Sequence, residues 1–169
     1  MDKILHMKCI CYSSNCFDIK KFKPIKNLDW IKPEGGLWSS PVNSKWGWKN
    51  WCIEQEFNIE RLSTSFQFTF KGKAFVINGV KDSSNLPWKP RKGFNEALLQ
   101  KESFLFSRFI DFELLSKKYD GIFLTGKGEA KTRLIDKYSL YGWDCECLLV
   151  LNPKSIYVEK KSLLRSIEV

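Results

Sequence analysis

The residues best suited to ligand chemistry form the segment 32–41, which reads KPEGGLWSSP. Two adjacent glycines allow the backbone to approach a ligand closely, and two serine hydroxyls follow the first indole. Trp46, Trp48 and Trp51 come shortly afterwards. Because glycines lose backbone entropy on folding and indoles need large partners, a surface loop seldom combines them without a function. We therefore expect a pocket here that holds a flat aromatic ring and a polar sugar or phosphate.

A second candidate is Glu146, which lies between Cys145 and Cys147 and just before the apolar run LLVL. A carboxylate next to an apolar strand is costly to bury, so it needs a partner or a chemical role. In a reaction at a glycosidic bond, a carboxylate can stabilise a transition state that resembles an oxocarbenium ion. A glutamate that simply faces solvent at the sheet edge explains the residue equally well.

Three other patterns give weaker signals. The segment 125–132 (TGKGEAKT) lacks the spacing of a phosphate-binding loop, and we expect a flexible loop there. His6 is the only histidine, and its surroundings show no sign of a catalytic triad. Two cysteine pairs have one residue between them, whereas structural zinc sites usually have two. We expect buried free thiols at these positions: Cys9 with Cys11, and Cys145 with Cys147.

The composition indicates one globular domain over residues 1–169 with a net charge of +9. This charge favours an anionic partner such as a nucleotide, a nucleic acid or an acidic protein surface. No apolar run approaches the roughly 20 residues that a membrane-spanning helix needs. The first residues contain no signal-peptide core, so we predict a cytoplasmic protein without membrane contact.

These residues must be positioned by short, irregularly ordered elements, which favours an α+β fold. Alternating and apolar runs predict strands at 5–12, 36–40, 121–125 and 145–151, with a further strand segment at 155–158. Residues 66–70 and 74–77 indicate a hairpin that turns at 71–73. Helical spacing predicts helices at 44–56, 95–106 and 112–118, and residues 81–93 read as a long surface loop.

Three segments in this order resemble the three spaced motifs of ADP-ribosyltransferases: Tyr12-Ser13-Ser14, GLWSSP at 36–41 and YGWDCE at 141–146. In that family the first strand ends in a tyrosine followed by Arg or His. A second strand bears a run of hydroxyl residues, and a late strand opens with the catalytic glutamate. This chain has Ser13 and Ser14 where the family has Arg or His and Gly. A neighbouring lysine or arginine could substitute for that side chain.

The resemblance implies split antiparallel β-sheets with flanking helices and with NAD+ in the cleft between the sheets. It also implies roles for individual residues. Glu146 would be the catalytic glutamate that orients the ribose and the acceptor, and Ser39 would steady the catalytic site. The NAD-binding residues would be Tyr12, Ser13, Gly36, Leu37, Trp38 and Ser40.

Several functions are consistent with these observations. The first is a mono-ADP-ribosyltransferase that uses NAD+ to modify a protein or nucleic-acid target. The second is a non-catalytic module of the same fold that binds or sequesters an NAD-derived nucleotide. A third is a protein that binds single-stranded nucleic acid by stacking bases on exposed aromatic rings among lysines. The tryptophans also fit a purely structural role in the core.

Overall fold

The computed structural model describes residues 2–12, 14–95, 97, 107–135 and 137–158. These residues fold as an α+β protein, which confirms the predicted class. The strands are β1 (Asp2–Tyr12), β2 (Leu37–Pro41), β3 (Ser65–Ile77), β4 (Trp88–Pro90), β5 (Arg108–Ile110), β6 (Gly121–Leu124), β7 (Cys147–Val150) and β8 (Ile156–Tyr157). The helices are α1 (Trp48–Glu54), α2 (Val80–Ser84), α3 (Phe112–Ser116) and α4 (Gly126–Thr132), and short 3-10 turns occur at Ile19–Lys21, Ile59–Ser63 and Pro153–Ser155.

Six strands form one sheet in the order β1-β2-β7-β6-β3-β8, and β1 also pairs directly with β3. The pairings β1–β2–β7–β6–β3–β1 therefore close into a ring of five strands, with β8 added to β3. Strands β3 and β6 run parallel, and the other pairings of this sheet are antiparallel. Strands β4 and β5 form a separate antiparallel pair. In this arrangement β2 lies between β1 and β7.

Two apolar clusters cover the opposite faces of β7. Leu148 and Val150 belong to one cluster, which also contains three phenylalanines of β3. Cys147 and Leu149 belong to the other, where Trp143 and Phe112 are fully buried. Because successive side chains of a strand point to opposite faces, this alternation fixes the register of β7.

The predicted hairpin at 71–73 is wrong, because β3 continues straight through these residues and pairs with β1 along its length. Gly72 does not form a turn. A Cβ atom at this position would lie 2.7 Å from the Cβ atom of Asp120. The carboxylate of Asp120 accepts a hydrogen bond from the backbone N–H of Lys73 at 2.8 Å. Gly72 thus permits β3 to approach the Asp120 side chain closely. In the sequence, a glycine with this role looks the same as a glycine in a turn.

Two predicted loops are also wrong. The segment 81–93 contains most of α2 and all of β4, which are joined by a hydrogen bond from Trp88 Nε1 to the carbonyl of Ser83 at 2.8 Å. The segment 125–132 forms α4, whose N-terminus is capped by Thr125 Oγ1 accepting from the N–H of Gly128 at 3.0 Å. A Cβ atom at Gly128 would lie 2.2 Å from the carbonyl oxygen of Ile77. This glycine therefore allows the helix to pack closely on β3.

The remaining predicted elements mostly lie where the sequence placed them. The strands predicted at 5–12, 36–40, 121–125 and 145–151 correspond to β1, β2, β6 and β7, with ends that differ by several residues. The helix predicted at 44–56 is shorter, and the one at 112–118 corresponds to α3. The helix predicted at 95–106 lies almost entirely outside the described residues.

Candidate functional site

The three segments with motif-like sequences are neighbours in space, because β2 pairs with β1 on one side and with β7 on the other. Ile10 of β1 lies opposite Ser40 of β2. Trp38 of β2 lies opposite Leu149 of β7. Residues that are far apart in the sequence therefore meet at one end of the sheet.

A cavity of about 340 Å³ opens at this place. Aromatic rings provide much of its wall, and polar groups come from β2 and from loops. Its lining residues are Ile10, Tyr12, Lys32, Trp38, Ser39, Ser40, Trp48, Trp143, Asp144, Cys145 and Cys147. Four of the residues that the sequence assigned to a ligand site, Tyr12, Trp38, Ser39 and Ser40, are among them.

The indoles of this cavity are held by contacts with one another. The rings of Trp38 and Trp143 meet edge to face with their centroids 4.7 Å apart. Trp48 stacks on Trp51 at 5.1 Å between centroids. Trp143 is fully buried and donates its Nε1–H to the carbonyl of Ile31 at 2.9 Å. Trp38 and Trp48 are only partly buried, so their rings have surface left for a ligand.

The charged groups at the cavity are Lys32 and Asp144. Asp144 Oδ2 lies 3.5 Å from Lys32 Nζ, and its Oδ1 lies 3.4 Å from Arg133. Lys32 Nζ also lies 5.7 Å from the centroid of the Trp38 ring. The side chain of Lys32 is 39% exposed, whereas that of Asp144 is 18% exposed. Lys32 is therefore a cation that can reach a ligand phosphate while Asp144 fixes its position.

The two serine hydroxyls of β2 are used within the protein. Ser39 Oγ donates to the carbonyl of Leu148 at 3.2 Å. Ser40 Oγ donates to the carbonyl of Glu146 at 3.0 Å and accepts from the N–H of Trp48 at 2.9 Å. Both serines are buried. Their hydroxyls join β2 to the β7 segment and to the start of α1, and thereby fix the shape of the cavity.

Glu146 is not among the cavity-lining residues, although its neighbours Cys145 and Cys147 are. Its carboxylate is half-buried and accepts two hydrogen bonds, from Ser44 Oγ at 2.6 Å and from the N–H of Gly126 at 3.2 Å. Its own N–H donates to the carbonyl of Trp46 at 2.8 Å. The carboxylate thus has a fixed orientation beside the cavity.

A second cavity of about 330 Å³ adjoins this region. Asp144 lines both cavities, and Trp46 lines only the second. The backbone of Glu146 is hydrogen-bonded to Trp46, which lines the second cavity, and to Ser40, which lines the first, although Glu146 itself lines neither.

The other predicted ligand residues have different positions. Gly36 has a φ of +70°, and a Cβ atom there would lie 2.8 Å from the carbonyl oxygen of Val150. This glycine serves close packing of the backbone, and Leu37 packs against the apolar cluster that contains Val150. Tyr12 lines the cavity, and burial raises the pKa of its hydroxyl. Ser13 lies outside the described residues.

Two site residues that were not identified from the sequence, Lys32 and Asp144, lie close to segments that were. Lys32 begins the glycine-rich segment, and Asp144 lies two residues before Glu146. Lys32 provides a positive charge at the first cavity, although it is distant in the sequence from Ser13. The ion pair between Lys32 and Asp144 joins residues that are far apart in the sequence, so local residue spacing could not predict it.

All six cysteines are free thiols, and Cys16 is the exposed one. Burial raises the pKa of Cys9 to about 12 and that of Cys11 to about 11. A hydrogen bond with Cys145, together with burial, raises the pKa of Cys147 well above its usual value. These thiols therefore stay protonated at neutral pH. Among the residues that the structure describes, no group of three or more His, Cys, Asp or Glu side chains could hold a metal ion.

Comparisons with protein families, curated proteins and solved structures give no match. No helix in the described part of the chain combines the length and the apolar character needed to cross a membrane.

Proposed function

We propose that this chain binds NAD+ or an NAD-derived nucleotide in the first cavity, which is lined by residues of β1, β2 and β7 and of the neighbouring loops. The observation that supports this most directly is the meeting of the three motif-like segments at one cavity. Tyr12, Trp38 and Asp144 come from the first, second and third of these segments, and all three line it. In this proposal the fold is related to that of ADP-ribosyltransferases, although its main strands close into a ring instead of two split sheets, and β1, β2 and β7 contribute to the ligand site.

The chemistry of the cavity fits one half of a dinucleotide. Its volume of about 340 Å³ lies near the lower end of the range of about 300–1,000 Å³ typical of small-molecule sites. The faces of Trp38 and Trp48 suit a flat nicotinamide or adenine ring. The ammonium group of Lys32 suits the adjoining phosphate. The second half of the dinucleotide would extend out of the cavity.

Calorimetric titration with NAD+ and with ADP-ribose tests this proposal. We expect wild type to bind, and Trp38→Ala to weaken binding by about tenfold or more through loss of the ring contact. Lys32→Met should weaken binding of both phosphate-containing ligands while its aliphatic chain preserves packing. Trp30→Ala, which removes a half-exposed indole that does not line the cavity, is the matched control.

Two results would contradict the proposal. One is an absence of binding by folded wild type. The other is equal affinity in wild type, Lys32→Met and Trp38→Ala. Circular dichroism should accompany each titration, because Trp38 also packs against Trp143.

A second candidate function is mono-ADP-ribosyl transfer with Glu146 as the catalytic glutamate. The observation that favours it is the position of Glu146 between Cys145 and Cys147, which line the first cavity, with its carboxylate oriented by Ser44 and Gly126. The first cavity would hold NAD+, and the acceptor group would approach at its entrance. The bond between the ribose carbon and nicotinamide would break, nicotinamide would leave, and an acceptor nucleophile would bond to that carbon. Glu146 would stabilise the positive charge that develops on the ribose.

Nicotinamide release separates the two candidates. If the chain is a transferase, wild type releases nicotinamide from NAD+ and Glu146→Gln does not, although this variant still binds NAD+. Glu60→Gln changes an exposed glutamate outside both cavities and should behave as wild type. Binding without release by wild type would refute the transferase function and leave the nucleotide-binding function in place.

A further inference from the structure

Strands β1 and β3 present a basic outer face next to the cavity. Along β1, His6 and Lys8 are exposed, whereas the alternating residues Met7 and Cys9 pack in the core. Lys71 of β3 is exposed as well and lies directly opposite His6. Because side chains alternate between the two faces of a strand, these polar residues share one face.

An aromatic ring completes this face. Tyr157 of β8 pairs with Thr69 of β3, which in turn lies opposite Lys8. The Tyr157 side chain is 50% exposed, and Lys71 Nζ lies 5.0 Å from the centroid of its ring. We define the basic strand face as His6, Lys8, Lys71, Lys73 and Tyr157.

Negative charge is nearly absent from these strands. Asp2 is the one acidic residue within β1, β3 and β8, which together contain four lysines. Asp2 Oδ2 lies 3.1 Å from Lys73 Nζ, so this carboxylate is already paired. The charge of the face therefore complements a polyanion.

The basic strand face leads directly to the cavity. Ile10 and Tyr12 occupy the next two positions on the same face of β1 after Lys8, and both line the cavity. At about 3.3 Å per residue, Lys8 lies only about 7 Å along the strand from Ile10. A chain bound along this face would thus reach the cavity entrance.

We propose that the basic strand face binds single-stranded nucleic acid and guides it to the cavity. The phosphates of the nucleic acid would contact Lys8, Lys71 and Lys73, and one of its bases would stack on Tyr157. The combination of lysines with a half-exposed ring favours a single strand, because an unpaired base has a free face for stacking. The suggestion that this nucleic acid is the acceptor at the cavity rests on the proposed transferase function; binding along the face does not.

Fluorescence anisotropy with a fluorescein-labelled oligothymidylate and the full chain tests this inference. Three phosphate contacts predict that log K falls with log salt with a slope of about −2, since each contact on a single strand contributes about −0.7. Lys8→Ala and Lys71→Ala should each make this slope shallower by about 0.7. Lys81→Ala removes an exposed lysine of α2 and should leave the slope unchanged.

The aromatic contact has its own test. Tyr157→Ala should weaken oligothymidylate binding by about fivefold or more, whereas Tyr157→Phe retains the ring and most of the affinity. Equal affinity of wild type, Lys8→Ala and Lys71→Ala would overturn the proposal. Binding of polyglutamate but not of oligothymidylate would also overturn it and indicate an acidic protein partner.

Titration of the same samples with NAD+ keeps the two proposals separate. Lys71→Ala should bind NAD+ as wild type does, because Lys71 does not line the cavity. Normal NAD+ binding without oligothymidylate binding would refute only the nucleic-acid inference. Oligothymidylate binding without NAD+ binding would refute only the proposed nucleotide site.

Discussion

Asp111 joins α3 to the segment that leads to Lys32, and its charge should make stability depend on pH. Its side chain is 8% exposed and lies 2.5 Å from Lys89 Nζ. It accepts hydrogen bonds from Asn27 Nδ2 at 2.8 Å and from the N–H of Leu114 at 3.0 Å. Substitution of Asp111 by asparagine removes the charge but preserves the size and an acceptor oxygen for the helix cap.

The pKa of Asp111 sets the expected magnitude. Burial by itself would raise this pKa, but hydrogen bonds from Lys89, Asn27 and Leu114 and the charge of Lys89 lower it from 3.8 to about 2. A pKa lower in the folded than in the unfolded state contributes stability above the unfolded pKa. A decrease of nearly two pKa units corresponds to about 2 kcal/mol at neutral pH. This contribution disappears as the pH falls from about 4 to about 2.

Urea unfolding of wild type and Asp111→Asn at neutral pH and near pH 3 measures this contribution. We expect the variant to be less stable by about 2 kcal/mol at neutral pH, with the difference reduced to roughly half near pH 3. Asp18→Asn, at a partly exposed carboxylate that caps a short 3-10 turn, is the control for the loss of a capping carboxylate. A stability difference for Asp111→Asn that is the same at both pH values would refute the electrostatic explanation.

Three further predictions concern the framework of the site. Gly35→Ala should destabilise the fold by more than about 1–2 kcal/mol, measured by urea unfolding, because φ is +82° and the new Cβ atom would lie 2.2 Å from the carbonyl oxygen of Pro24. Trp143→Phe should cost about 1–3 kcal/mol in thermal or urea unfolding from the unpaired carbonyl of Ile31 alone, and equal stability would contradict the role of this hydrogen bond. A thiol reagent at mildly alkaline pH should modify Cys16 rapidly and the five buried cysteines only after unfolding; rapid modification of any thiol in folded Cys16→Ser would contradict their burial.

The sequence predicted the strands of the site better than the segments between them. Alternating or continuous apolar residues in β1, β6 and β7 are a local signal, because each strand packs against one or both apolar clusters. Gly72 and Gly128 misled the prediction for a different reason. Gly72 permits close packing against Asp120, and Gly128 permits close packing against Ile77. Both partners are distant in the sequence. Local composition cannot distinguish such glycines from those of turns.

The sequence predicted only those parts of the candidate site that lie on neighbouring strands. Tyr12 and Trp38 were identified from their segments, and the pairing of β2 with both neighbours brings them to one cavity. The orientation of Glu146 depends instead on Ser44 and on the start of α4. Because the residue pattern predicted a flexible loop in place of that helix, it did not indicate the contact between Glu146 and Gly126.

The contacts of the β2 serines affect how any nucleotide would be recognised here. Because Ser39 and Ser40 hold β2 to the β7 segment, a ligand could use their hydroxyls only by displacing these internal hydrogen bonds. Removing such buried partners typically costs about 1–3 kcal/mol each. Recognition by the faces of Trp38 and Trp48 and by Lys32 requires no such loss of buried bonds. In the proposed nucleotide site the indoles would therefore contact the ring and Lys32 the phosphate, while Ser39 and Ser40 hold β2 and the β7 segment together.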